Sequence, residues 1–188
     1  MRAFSTIFIA AVLALSANAA AVDKRAVSTA AALCIADLTS VSEQLTIVKT
    51  AVDAFVSSAG YSGATAIHDK GTELEARIVK ATTDCNTITA PSNVEDTTAI
   101  LANVGTLVPK VTGSLTSIVN KKSQFAAIPF ATIIVKTDIK SLDTKTAALN
   151  AVLISKVPTT PTSYLDTANG YVAEINAGFS AAKTAYGI

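Results

Sequence analysis

From Leu107 to Val119 the apolar residues Leu107, Val108, Val111, Leu115, Ile118 and Val119 recur at steps of three and four. That is the period of one face of an α-helix, and the two-residue alternation of a strand cannot produce it. The stretch has a proline near its start, Pro109, and closes on Lys121-Lys122. Cations there suit the negative end of the helix dipole. Beyond them Phe125 opens a short alanine-rich stretch to Ile128. No catalytic group lies on the apolar face, so the segment is built to pack, or to hold something apolar.

The remainder of the chain repeats this character. The spacing predicts a first helix from about Val27 or Ser28 to Ser58, with Ile35, Leu38, Val41, Leu45, Val48, Val52, Phe55 and Val56 in period. Ser40 followed by Glu43 matches a capping box, where that helix can break and restart. Gly60-Tyr61-Ser62-Gly63 reads as a turn. A second helix, about Ala64 to Thr87, turns Ile67, Gly71, Leu74, Ile78, Ala81, Cys85 and Ile88 inward. Gly71 costs it about 1 kcal/mol against alanine, and either admits a neighbouring backbone or leaves space.

Ala90-Pro91-Ser92-Asn93 breaks the chain, and Ser92 with Glu95 three residues on is a cap for a third helix. That helix carries Ile100, Leu101, Val104, Leu107 and Val108, and its stripe stays in phase across Pro109. A kink is therefore expected there, not a loop. Ser123-Gln124-Phe125 reads as a turn. A fourth helix, from Phe125 or Pro129 to Lys156, places Phe130, Ile133, Ile134, Leu142, Leu149, Val152 and Leu153 inward, with Thr137 and Ser141 interrupting the stripe. After Val157-Pro158-Thr159-Thr160-Pro161, a fifth helix to about Tyr186 has the cleanest stripe. It includes Ala168, Tyr171, Val172, Ile175, Phe179 and Ala182. No strand pattern occurs. The fold class is all-α, an up-and-down bundle of about five amphipathic helices in which an internal apolar cavity is one open reading.

The N-terminus reads as processing signals. Arg2 precedes an apolar run, Phe4 to Leu15, too short to span a membrane, and Ala17-Asn18-Ala19 has signal-peptidase spacing. Residues 1–19 are the expected signal peptide, 20–25 a pro-segment ending at the dibasic Lys24-Arg25, and 26–188 one helical domain. Loss of Arg2, Lys24, Arg25 and Asp23 takes 15 basic and 14 acidic residues to 12 and 13, a net charge of −1. With no basic stripe and no tryptophan, nucleic acid is not an expected partner. No further apolar run of membrane-spanning length and no lipid-anchor signal stands out. The expected location is secreted, extracellular or at the cell wall. In that oxidising setting Cys34 and Cys85 are expected to form a disulfide, the alternative being two buried free thiols. Their midpoint falls at Gly60, so antiparallel helices folded there bring them level. Closing a loop of this size stabilises by about 4 kcal/mol in the chain-entropy picture.

Chemistry-bearing constellations are sparse. The single histidine, His68, reads as a surface or helix-start residue, and Glu73 with Glu75 as a solvated face. No metal-ligand spacing, Gly-x-Ser-x-Gly elbow or phosphate loop appears, so no metal, cofactor or enzymatic activity is expected. No Asn-x-Ser/Thr acceptor occurs, which leaves O-mannosylation of the abundant Ser and Thr as the glycosylation route. The stripes admit a solid core, a core with a lipid-filled cavity, or a bundle that docks an apolar patch on a hydrophobic surface. For a cavity, the candidate lining is Leu45, Val48, Val52 and Phe55 from the first helix, Leu74 and Ile78 from the second, and Leu101, Val104, Val108 and Leu115 from the third. Phe130, Ile134, Leu142 and Leu149 come from the fourth helix, and Val172, Ile175 and Phe179 from the fifth. Thr137, Ser141 and Tyr171 are candidates for a polar end, since an acyl head group needs a few polar partners in an apolar pocket.

Several short strings carry a family likeness: Val52-Asp53-Ala54-Phe55, Leu107-Val108-Pro109-Lys110 with Lys121-Lys122 and Phe125, Lys156-Val157-Pro158, and Glu174-Ile175-Asn176-Ala177-Gly178-Phe179. With the dibasic leader, they make the chain resemble the fungal hydrophobic surface-binding protein A family, also called cell wall galactomannoproteins, over nearly all of its mature length. The resemblance implies a secreted, non-enzymatic helical protein that binds fatty acids or other lipids, or adsorbs to hydrophobic surfaces and recruits esterases such as cutinases. The alternative reading is a structural, antigenic cell wall component with a solid core and no ligand. The Ser/Thr/Pro-rich tail of wall-anchored relatives is missing, so covalent wall attachment is not implied.

Overall fold

The computed structural model describes residues 26–188, so the leader and dibasic site proposed for residues 1–25 lie outside the described residues. Six helices follow: α1 (Thr29–Ala54), α2 (Gly60–Asn86), α3 (Val94–Asn120), the short α4 (Lys122–Ala126), α5 (Ala131–Lys156) and α6 (Thr162–Tyr186). No strand occurs among the described residues. The five long helices run alternately up and down. They close into a ring in the order α2, α1, α3, α6, α5 and back to α2, with α1 seated between its successors α2 and α3.

Local chemistry sets the ends. Ser28 Oγ accepts from the Ala31 N–H at 3.2 Å and starts α1. Asn93, not Ser92, caps α3: its Oδ1 accepts from the Asp96 N–H at 2.7 Å, and Glu95 and Asp96 occupy the first turn. The Ser92 hydroxyl is drawn away by tertiary contacts, lying 2.7 Å from Thr97 Oγ1 and donating to Lys156 O at 2.9 Å. The capping box at Ser40 is also unused. α1 continues through it, and Ser40 Oγ accepts from Arg77 of α2 at 2.7 Å. The turn expected at 60–63 lies earlier. A 3₁₀ turn, Ser57–Ala59, precedes Gly60, whose φ of 63° suits glycine, and Tyr61 to Gly63 already belong to α2. α3 runs unbroken through the exposed Pro109. Ser123 to Phe125 form α4 instead of a plain turn.

The fourth stripe was expected in the wrong phase at its start. Phe130 sits just before α5 with φ 66° and is 71% exposed; Ile133 is 61% exposed. The buried residues are Ala131, Val135, Ile139, Leu142 and Leu149. Ile133, Ile134 and Val135 are consecutive, so the pattern admits two phases, and the one that buries Val135 and Ile139 turns Phe130 and Ile133 outward.

Both ends of the ring are locked. Cys34 and Cys85, both fully buried, form the disulfide between α1 and α2 with Cα atoms 4.6 Å apart. At the same end Ser28 N–H donates to Asp96 Oδ1 at 2.7 Å, and Ser92 N–H to Lys156 O at 2.8 Å. At the other end Phe55 and Phe125 stack with centroids 4.4 Å apart, and Lys121 Nζ donates to Phe55 O at 2.9 Å. Along the α2–α5 seam, His68 Nδ1 lies 2.8 Å from Asp138 Oδ1, and Lys145 pairs with Glu75 at 2.8 Å. Burial lifts the Asp138 carboxyl above its ordinary range, and the hydrogen bond to His68 opposes that shift.

Two predictions come from these helices. Gly71 is buried in mid-α2, and a β-carbon there would meet no atom within 4 Å, so this glycine leaves space and admits no close backbone. Gly71→Ala should raise the unfolding free energy by about 1 kcal/mol in denaturant titration. A loss of stability would show that the added methyl is not accommodated. Asp138 holds its proton more tightly folded than unfolded, so its contribution is fullest below the unfolded carboxyl range and is lost as pH rises through the folded value. Asp138→Asn should therefore be the more thermostable protein at pH 7, with the advantage shrinking to nothing near pH 3. A variant less stable at pH 7 would contradict that sign.

Candidate functional site

Inside the ring the aliphatic side chains do not meet completely. The larger gap, about 50 Å³, is lined from all five long helices, for example by Leu45 of α1, Leu74 of α2, Leu115 of α3, Leu149 of α5 and Phe179 of α6. A smaller one, about 30 Å³, lies toward the disulfide end among α3, α5 and α6. The two share Val104, Asn150, Leu153 and Ile175, which makes them neighbouring parts of one apolar track. Gly105 lets α6 come close beside it: a β-carbon there would stand 2.7 Å from the Tyr171 hydroxyl.

Most of the expected lining gathers here. Leu45, Val48, Leu74, Ile78, Val104, Leu115, Leu142, Leu149, Ile175 and Phe179 border the larger gap. Leu101, Val104, Tyr171, Val172 and Ile175 border the smaller one. Val52, Phe55 and Val108 are buried in packed core and border neither. Ile134 is half-buried and borders neither, and Phe130 is outside altogether. Of the three polar candidates, Tyr171 alone reaches the track. Thr137 and Ser141 lie along a shallow hollow on the outer side of α5, where Ser141 Oγ accepts from Lys145 Nζ at 2.7 Å. The expectation had counted their positions from the wrong α5 phase.

Sequence reasoning passed over Asn150. Its signal was readable: it is a polar residue eight after Leu142 and three before Leu153, in phase with the inward stripe. It is 9% exposed, borders both gaps, and its Nδ2 finds no hydrogen-bond partner. Ser92 and Thr97 also border the smaller gap, but their hydroxyls are engaged with each other.

His68 lies in the third turn of α2, partly exposed and facing Asp138 of α5, away from both gaps, close to the expected surface position near the helix start. Among the described residues no group of three or more His, Cys, Asp or Glu could hold a metal ion. Tyr186 donates to Ile118 O at 2.9 Å, and burial pushes its phenol well above the ordinary range. Of the described helices, α1 is long and apolar enough by length and composition to cross a membrane, a point the expectation of no further spanning-length run missed. Here its apolar side packs on α2 and α3, and Cys34 ties it to Cys85.

A second apolar feature lies outside. Val56, Tyr61, Phe130 and Ile133 are 49%, 52%, 71% and 61% exposed, and all sit at the end of the bundle opposite the disulfide. Tyr61 and Ile133 occupy the first turns of neighbouring helices, α2 and α5.

The sequence matches the hydrophobic surface binding protein A family over residues 31–155. A crystal structure of AFMP4P in complex with palmitic acid is similar in fold, with a TM-score of 0.76 at 26% identity, covering 83% of this chain and 99% of that one. No curated protein matches the chain.

Proposed function

The chain belongs to the hydrophobic surface binding protein A family, and from that premise we propose that it is a secreted, non-enzymatic carrier that takes a long acyl chain, such as that of a fatty acid, between its helices. The observation that carries this reading is the apolar track lined by all five long helices. The similar AFMP4P, solved with palmitic acid, supports the same ligand class. Small-molecule pockets run from roughly 300 to 1,000 Å³, well above the two gaps here. Uptake therefore requires the helices to separate, and the gaps mark where apolar surface is already without a partner. Release into the medium follows removal of residues 1–19 and cleavage after Lys24-Arg25, giving a mature chain that begins at Ala26.

The exposed end supports a second mode, adsorption to hydrophobic surfaces. Phe130 combines a left-handed backbone, which costs a non-glycine residue of order 1–3 kcal/mol, with 71% exposure of an aromatic ring. Neither favours the isolated protein, whereas both suit a ring held out to meet an apolar surface. A protein adsorbed by this end keeps its polar sides free to recruit a secreted esterase such as a cutinase. A cell wall role with a solid core has less support, because small gaps bordered by all five long helices remain between the inward side chains.

Val104 borders both gaps, so Val104→Phe should fill them and lower palmitic acid uptake at least tenfold in a binding titration. Its thermal midpoint should reflect an overpacking cost within about 1–3 kcal/mol; unchanged uptake would place the ligand elsewhere. Replacing Phe130 by glycine should stabilise the bundle by about 1 kcal/mol through relief of the left-handed strain. Combined with Ile133→Ser, it should lower adsorption to polystyrene beads while leaving palmitic acid uptake intact. Undiminished adsorption would remove this end from the surface-binding role.

A further inference from the structure

We infer that Asn150 is the polar anchor of the ligand track, donating from Nδ2 to the carbonyl oxygen of an acyl head group held where the two gaps meet. The inference rests on the acyl-carrier reading above and adds to it the group that recognises the head.

Asn150 is nine-tenths buried among apolar neighbours, and its Nδ2 lacks any acceptor. A buried donor left without a partner costs the desolvation of that group, which an aliphatic side chain at the same position would not. Several other buried polar groups are answered within the fold. Asp96 accepts from Ser28 N–H, Ser92 meets Thr97, and Ser114 Oγ donates to Lys110 O at 2.8 Å. Gln44 Oε1 and Asn103 Oδ1 are also without partners, but each residue has its amide nitrogen bonded, and neither borders a gap. Asn150 alone combines an unanswered donor with a place on the track.

The chemistry of the walls narrows the ligand. Lys156 is the one charged residue bordering either gap, and its ammonium already donates to Asn86 O at 2.8 Å. That ammonium keeps its charge, but Lys156 lies six residues beyond Asn150, about 9 Å along α5, with its side chain held at Asn86 O. A carboxylate beside Asn150 would therefore have no counter-charge in contact, whereas the carbonyl of an ester or of an uncharged acid needs only one donor. Tyr171 borders the smaller gap as well. Each gap is also large enough for a water molecule, so a resident water is the competing occupant of the amide.

The test compares the full protein with its Asn150→Leu variant for palmitic acid, methyl palmitate and hexadecane at pH 7. The wild type should prefer one or both carbonyl ligands over hexadecane by about tenfold, the size of one hydrogen bond. The variant should lose that preference while keeping its hexadecane affinity. Preference for methyl palmitate assigns the oxygen to an ester or uncharged acid, and preference for palmitic acid alone assigns it to the acid; either supports the anchor. A variant that keeps the preference overturns it and leaves a water on Asn150. A wild type that binds all three alike overturns the anchor but not the carrier, and one that binds none overturns both. Should the variant not fold, the Asn150 side-chain amide resonance of the wild type should move with the preferred carbonyl ligand and stay still with hexadecane. No movement overturns the inference.

Discussion

The constraint on which the structure depends is that each long helix has one apolar side and all five must bury it around a common axis. With neighbouring axes about 9–10 Å apart, a regular ring of five puts each helix axis about 8 Å from the centre. A ring of four puts it under 7 Å by the same geometry. Valine, leucine and isoleucine, which supply most of the inward positions, are too short to fill the wider centre. The gaps follow from helix number and side-chain size together. An apolar track along the axis is what this arrangement leaves when the inward residues are aliphatic and few are aromatic.

Unfilled volume in a core costs stability. At about 24 cal/mol per Å³, gaps of about 50 and 30 Å³ amount to about 2 kcal/mol. The Cys34–Cys85 bridge, with 51 residues of separation, contributes about 4 kcal/mol by restricting the unfolded chain. The cross-link is thus of the right size to keep the empty bundle folded. A ligand that occupies the track recovers the lost contacts and acts in the same direction.

The helices themselves were plain in the sequence because apolar period is a local signal repeated over seven or more turns. The disulfide was plain because Cys34 and Cys85 are placed symmetrically about Gly60. What escaped was decided by tertiary contacts. Ser92 and Ser40 both have the spacing of caps, yet Lys156 O and Arg77 lie closer to hand and claim their hydroxyls. The start of α5 could not be phased, because Ile133, Ile134 and Val135 satisfy either face until α2 is set beside it. That one error carried Phe130 inward and Thr137 and Ser141 toward the site. Asn150 was overlooked for a different reason. A lone polar residue in a stripe is ordinarily a tolerated interruption, and only its missing partner marks it out.

The ring is not equally strong around its circumference. The α1–α2 seam carries the disulfide, the Lys80–Asp37 pair and the Arg77 and Gln44 hydrogen bonds. The α1–α3 seam carries Lys110 on Ser42 and Lys121 on Phe55 O. The α2–α5 seam has His68–Asp138 and Glu75–Lys145, and α3–α6 has the Tyr186 hydroxyl on Ile118 O with Gly178 admitting Leu115 at close range. Between α5 and α6 the described residues offer one ion pair, Asp143–Lys183, at 2.7 Å, over the lightest packing of the five seams. A single ion pair that is still partly solvated contributes little, about 0–1 kcal/mol. Leu153 of α5 and Ile175 of α6 both border the two gaps, so the weakest seam lies over the track. Separation there gives up one ion pair and the lightest packing of the five and reaches the track directly, whereas the α1–α2 seam is held by a covalent link and the remaining seams by heavier packing.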